Sequence, residues 1–201
     1  MRVLILLIFA GAAACGGGGG GGGSGSGKDP RLARLDIYEA QKLRGLGDPG
    51  AGVMGMAPTP TAAIPDTGVA VFEGSATLRV EMPDAPLVLF GDSSVSIGFA
   101  DAAVDGTLDR FFGTNVAGNV VDYSGTVTID SGSLDDSLTL GYAGVLSGSG
   151  ASLVLDGTMD GELLGDPVGA LSAADLEAVV IVSGSPADAT LIVIGETTAA
   201  P

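Results

Sequence analysis

The sequence predicts an all-β protein. The expected form is an eight-stranded antiparallel, water-soluble β-barrel preceded by a signal peptide, a Gly-rich tether and one short amphipathic helix. Three observations predict it. From residue 66 onward, apolar and polar residues alternate with a period of two in run after run. Turn signals rich in glycine and serine separate these runs. Ahead of them stand a short hydrophobic leader and an unbroken run of glycines.

Residues 1–14 read as the leader. Arg2 supplies a positive charge, residues 3–9 an apolar run, and Ala12, Ala13 and Ala14 a small-residue approach to a peptidase site. The apolar run is far shorter than the about 20 residues a membrane-crossing helix needs. The single cysteine, Cys15, follows directly. This arrangement resembles the lipobox of bacterial lipoproteins, in which such a cysteine is acylated. The commoner pattern has Leu where this chain has Ala12. The alternative is an ordinary leader followed by a free thiol. A lone exposed thiol in an oxidising compartment is a liability and an acylated one is not, so lipidation at Cys15 is the expectation.

Residues 15–27 form the predicted lipid-bearing tether. Gly16 opens an unbroken glycine run that ends at Gly23, and Ser24, Gly25, Ser26 and Gly27 complete it. Twelve residues of this composition span about 20 Å root mean square as a coil. Residues 28–65 read as a short helix and a linker. Asp29 is a candidate N-cap with Pro30 at the first helical position. Leu32, Leu35, Tyr38 and Leu43, with Ile37 and Ala40 nearby, give a rough apolar face, and Gly45 and Gly47 stop the helix. Its five cations, counted from Lys28 to Arg44, contrast with the acidic chain behind it. Two destinations follow: packing on one end of the barrel against its carboxylates, which is favoured, or lying on an anionic membrane.

Residues 66–201 read as the barrel domain. Phe72, Ala76, Leu78, Val80 and Met82 share one strand face, with Glu73, Ser75, Thr77, Arg79 and Glu81 on the other. Val95, Ile97 and Phe99 alternate with Ser94, Ser96 and Gly98, and Val121, Tyr123, Val127 and Ile129 alternate with Asp122, Ser124, Thr126 and Thr128. Leu138, Leu140, Tyr142 and Leu146 share a face, as do Leu153, Leu155, Met159 and Leu163, opposite Asp156, Thr158, Asp160 and Glu162. Turns are expected at Gly91-Asp92, Ser131-Gly132-Ser133, Ser147-Gly148-Ser149-Gly150, Gly165-Asp166-Pro167 and Gly184-Ser185-Pro186. The stretch Ser172-Ala173-Ala174-Asp175-Leu176-Glu177 fits a capping box, but the Val-Ile run after it favours strand. One apolar face per strand means an antiparallel sheet. An even strand count favours closure into a barrel over an open sandwich, because closure removes the edges.

The order of features resembles the small lipoproteins related to the barrel domain of transferrin-binding protein B. The residues that carry the resemblance are Pro65-Asp66-Thr67-Gly68-Val69-Ala70-Val71-Phe72-Glu73-Gly74, the run Tyr123-Ser124-Gly125-Thr126-Val127-Thr128-Ile129, the glycine-spaced hairpin from Gly157 through Gly161 and Gly165 to Ala170, and the closing Leu191-Ile192-Val193-Ile194-Gly195-Glu196. The resemblance implies an eight-stranded barrel lipid-anchored (palmitate-type acylation) to the outer membrane of a Gram-negative bacterium. In the best-known members of the family the loops bind host iron-carrier proteins. No binding motif of theirs matches this shorter chain residue by residue, so that partner does not carry over.

Composition excludes several chemistries. The chain holds 24 acidic residues, 8 basic residues and no histidine. From residue 66 on, only Arg79 and Arg110 are basic, which argues against nucleic acid as a partner. Without histidine, and with Cys15 acylated, Ser-His-Asp and Cys-His catalysis and His/Cys zinc sites fall away. Haem would have to use Tyr38, Tyr123, Tyr142 or a Met, with no supporting motif. Asp130, Asp135 and Asp136 are the best calcium candidates but do not follow the EF-hand pattern. The expectation is a non-enzymatic protein without catalytic residues, metal or cofactor. It would be held to the outer membrane by a lipid and would bind a protein or a small solute at the cell surface. The alternative is a structural envelope lipoprotein with no soluble ligand. A filled barrel interior would favour the alternative, a hollow one the binding of a solute.

Overall fold

The computed structural model describes residues 29–115, 117–134 and 137–198. The predicted leader, Cys15 and the tether lie outside the described residues, as do Asp135 and Asp136.

Helix α1 (Pro30–Leu46) begins where the sequence places it. The Asp29 carboxylate accepts from the Arg31 backbone N–H at 3.0 Å, and Pro30 fills the first turn, where its missing N–H costs nothing. Gly47, with φ +71°, ends the helix. The linker then makes a minimal antiparallel pair, β1 (Gly47–Asp48) with β2 (Val53–Met54). Further on it lies against the barrel rim: Pro58 bridges Leu164, and the Thr59 N–H donates to the Leu163 carbonyl.

Nine strands follow: β3 (Val69–Val80), β4 (Leu87–Gly98), β5 (Val104–Thr114), β6 (Val120–Tyr123), β7 (Val127–Leu134), β8 (Leu138–Gly148), β9 (Ala151–Leu164), β10 (Ala170–Val182) and β11 (Ser185–Thr197). The short β6 and β7 share one place in the ring, pairing with the second and first halves of β5. Their junction is Gly125, at φ +118°, where a Cβ would come within 2.0 Å of the Val145 carbonyl oxygen. With β6 and β7 counted as one place, each place pairs antiparallel with the next along the chain, and β11 returns to β3, so the eight-membered ring closes. The predicted barrel is therefore the fold, and the open sandwich is not.

The alternating faces fall as predicted. Phe72, Leu78, Leu89, Leu108, Leu140, Leu146, Leu153 and Leu155 point inward with at most 1% exposure. They belong to one apolar cluster that takes in residues of every strand of the ring. Asp156, Thr158, Asp160 and Glu162 are exposed on the outer wall. The side chains of this cluster fill the interior, one of the two outcomes open to a ring of eight strands.

Two expected turns are corrected. Gly91-Asp92 lies inside β4, and Ser131-Gly132-Ser133 inside β7. In both, glycine answers crowding rather than chain reversal. A Cβ on Gly91 would meet the Phe111 ring at 2.8 Å, and one on Gly132 the Val104 side chain at 2.7 Å. The stretch containing Asp175 is strand, not helix. Ser172 through Asp175, which mimic a capping box, pair in register with β11, and a bulge between Asp175 and Ala178 takes up Leu176 and Glu177.

The barrel has two ends. The proximal end carries the turns at residues 81–86, 115–119, 149–150 and 183–184. The distal end carries those at 99–103 and 165–169 and the incoming linker. Helix α1 packs on the barrel, but along its outer wall rather than over an end. It starts at the proximal rim beside β6 and finishes near the distal ends of β9 and β11.

Candidate functional site

The seam between α1 and the wall is the most elaborate polar assembly among the described residues. Arg31 spans from its own cap to the barrel: it pairs with Asp29 at 2.5 Å and Asp122 at 2.9 Å, and donates to the Val120 carbonyl at 3.1 Å. One turn on, Arg34 pairs with Asp92 at 2.9 Å and donates to the Arg110 carbonyl at 3.2 Å. Tyr38 donates to the same Asp92 carboxylate, and the Arg110 guanidinium also pairs with it. Gln41 donates to the Glu73 carbonyl at 2.8 Å, and Arg44 grips Glu196 with two bonds of 2.7 Å. The bidentate Arg44–Glu196 pair and the Asp92 hub fix the helix in one orientation.

Electrostatics follow from these contacts. Hydrogen bonds from the Arg31 side chain and backbone lower the Asp29 carboxyl from its ordinary 3.8 to about 2. Burial and the bond to Asp92 push the Tyr38 phenol upward. Burial works against the Arg34 charge, but bonds to Asp92 and Tyr38 outweigh it and raise its pKa. The guanidinium also lies over aromatic faces, 4.9 Å from the Phe112 centroid and 5.6 Å from that of Tyr38.

The helix contact face differs from the expected one. Tyr38, Gln41 and Gly45 are the buried helical residues, while Leu32, Leu43 and Ile37 stay at least 37% exposed. The reason is the surface it meets: the outward face of the strands carries Asp92, Asp122, Glu73 and Glu196, which select arginines and a tyrosine hydroxyl over leucines. The apolar part of the contact comes from the wall. Phe112 and Ile194 face outward yet are at most 3% exposed. Between helix and wall a cleft of about 140 Å³ remains, lined by Leu35, Tyr38, Glu39, Lys42, Ser75, Thr77, Phe90, Ile192 and Ile194. One ammonium and one carboxylate face hydroxyl and apolar groups across it.

A second polar feature lies inside the barrel. The Tyr142 hydroxyl donates to the Asp175 carboxylate at 2.8 Å across Gly157. Burial, then this bond, pushes the Tyr142 phenol upward.

The sequence-predicted candidates are dispersed. Asp130 stands exposed on β7, with its proposed partners Asp135 and Asp136 outside the described residues. Tyr38 sits under the helix, Tyr123 and Tyr142 inside the ring. Among the described residues no group of three or more potential ligands is arranged to hold a metal ion. The Asp92 hub had no sequence motif. The covered outer wall had a signal: Phe111-Phe112, Leu163-Leu164 and residues 191–194 are continuous apolar runs, and a strand that is apolar on both faces needs cover on both.

No family model matches the chain, and a search of curated proteins gives no significant match.

Proposed function

We propose that this chain is a non-enzymatic, lipid-anchored barrel of the bacterial outer membrane. It would act through its outer surface by binding a protein, similar in plan to the small lipoproteins related to transferrin-binding protein B. The observation that carries the reading is the filled interior: Phe72, Leu140 and Leu155 occupy the space a lipocalin-like solute would need. That leaves the outer wall and the turns as the working surface. The filled interior speaks against a solute and, between the two readings drawn from the sequence, favours the structural envelope role, so the test sets protein binding directly against that role. Cells fed an alkynyl fatty acid should label the wild-type chain and not Cys15→Ser, which should also leave the membrane fraction. Surface cross-linking of intact cells should then capture one protein reproducibly on barrel residues. An unlabelled wild-type chain would sink the anchor, and cross-links to copies of the same chain alone would favour the structural role.

A further inference from the structure

The geometry points to a fixed orientation: the proximal end of the barrel rests on the lipid surface through an apolar stripe on β8, β9 and β10, and the acidic distal end faces away. This inference rests on acylation of Cys15.

The stripe is continuous because the register makes it so. Val145 pairs with Val154, and Val154 with Ile181. All three point outward, with exposures of 47%, 42% and 37%, and Val179 beside them is 50% exposed. Residues 179–182 form the same kind of continuous apolar run as 191–194. The outer face of the latter is covered by α1, whereas nothing in the chain's described residues covers the former. Large apolar side chains adjoining on an open wall mark a contact surface.

Charge selects the lipid surface as the occupant. Twenty of the 24 acidic residues lie from residue 66 onward, against two basic ones, so an anionic bilayer repels most of this barrel. Yet residues 111–121, 144–155 and 178–187, which form three of the four proximal turns and their flanking strands, contain no charged residue. The remaining proximal turn, with Glu81 and Asp84, lies across the ring from the stripe. Asp101, Asp105, Asp160, Glu162 and Asp166 gather toward the distal end. On the stripe side of the proximal end the carboxylates are confined to its border, with Asp188 opposite Val179 and with Asp156 and Glu177 on the distal side of Val154 and Val179, so the turns themselves meet anionic headgroups without a charge of their own.

The path of the chain selects the same end. The glycine run from Cys15 leads into Asp29, and α1 begins at the proximal rim, where Arg31 holds Asp122 and Val120 of β6. Strand β6 neighbours β8, the first strand of the stripe, through the Ser124–Ser147 bridge. A short tether holds the barrel at an effective concentration on the order of millimolar. A handful of aliphatic side chains therefore suffices to set an orientation that they could not maintain from free solution.

The test uses the full acylated protein in vesicles of phosphatidylethanolamine and phosphatidylglycerol. Single cysteines are introduced by Val154→Cys or Ile181→Cys on the stripe, and by Asp101→Cys or Asp166→Cys at the distal end. Each carries an environment-sensitive fluorophore, and the lipids carry a nitroxide quencher. The expected result is loss of fluorescence from the stripe labels and none from the distal ones. Val145→Asp combined with Val179→Asp, both at open surface positions, should abolish the loss while flotation with vesicles persists. Floating protein whose distal labels are quenched as much as the stripe labels overturns the orientation but leaves the anchor standing. Stripe labels already shielded from aqueous iodide without lipid would mean that a second copy covers the stripe, which also overturns it. Failure of the unsubstituted acylated protein to float would overturn the anchor and the orientation together.

Discussion

Gly157 illustrates how single residues hold the interior together. It faces inward on β9 between Tyr142 of β8 and Asp175 of β10, and a Cβ there would meet the Tyr142 hydroxyl oxygen at 2.6 Å and an Asp175 carboxylate oxygen at 3.0 Å. The absent side chain is the space the phenol crosses to reach its carboxylate. Gly157→Ala should destabilise the barrel by about 1–3 kcal/mol through overpacking. It should also move the Tyr142 titration, followed by phenolate absorbance, down toward its ordinary 10.0. The sign in the unsubstituted protein is fixed by the raised pKa. The stability this tyrosine contributes is fully present below pH 10.0, its unfolded value, and is lost as pH climbs beyond that toward the higher folded value. Adjacent residues on the same strand have opposite fates. Leu155 is 1% exposed and Asp156 is exposed. Leu155→Asp should cost about 4 kcal/mol or more in chemical denaturation, since it loses an apolar contact and buries an unpaired carboxylate. Asp156→Leu should leave the midpoint nearly unchanged. Reversal of those two outcomes would place β9 one residue out of register.

At the scale of elements, α1 is held by arginines rather than by a hydrophobic stripe. Three bonds converge on Asp92, whose side chain is only 19% exposed. Asp92→Ala should weaken docking by about 2 kcal/mol, the scale of hydrogen bonds to a charged group. Hydrogen exchange should then speed up across Pro30–Leu46 with no change at Leu140 or Leu153 in the core. Equal acceleration in both places would show that helix and barrel open as one unit. The start of the helix should be acid-sensitive in a defined window. Because the Asp29 carboxyl is lowered from 3.8 to about 2, its contribution is complete above pH 3.8 and fades as pH falls to about 2. Carbon-13 titration of that carboxyl should give a midpoint near 2; a midpoint at the ordinary value would mean the Arg31 contacts do not form in solution. The strand elements were easiest to read where alternation runs unbroken, as in β9. In β5 the positive φ of Arg110, 50°, interrupts the period, so that Leu108 and Phe111 both face inward, three positions apart. A local periodicity cannot be followed across such a bulge.

For the whole molecule, one core joins every strand of the ring, and neighbouring strands meet along most of their lengths. The barrel should therefore unfold in one step, with coincident near- and far-ultraviolet dichroism midpoints. An earlier far-ultraviolet transition larger than the helix can supply would contradict a single core. The charge is polarised along the same body, with the uncharged stretches near the start of α1 and most carboxylates toward the distal end. With the interior filled, the polarised exterior is the part of the barrel left open to contact.

The sequence by itself determined the features that depend on neighbours along the chain. These are the inward and outward faces of β3 and β9, the turns at Ser149-Gly150 and at Gly165, and the Asp29–Pro30 helix start. Each rests on backbone geometry that a few consecutive residues impose: a period of two, a positive φ, a side chain that accepts from the first turn. Only the tertiary structure decided which face α1 presents, that α1 is what covers the outward Phe112 and Ile194, and that Gly91 and Gly132 sit within strands. Those outcomes depend on partners far away in sequence: Asp92 lies 58 positions beyond Arg34, and Glu196 lies 152 beyond Arg44. A carboxylate on an alternating strand reads as solvated until closure of the ring and return of the helix put an arginine against it. Nothing within a local window records that encounter.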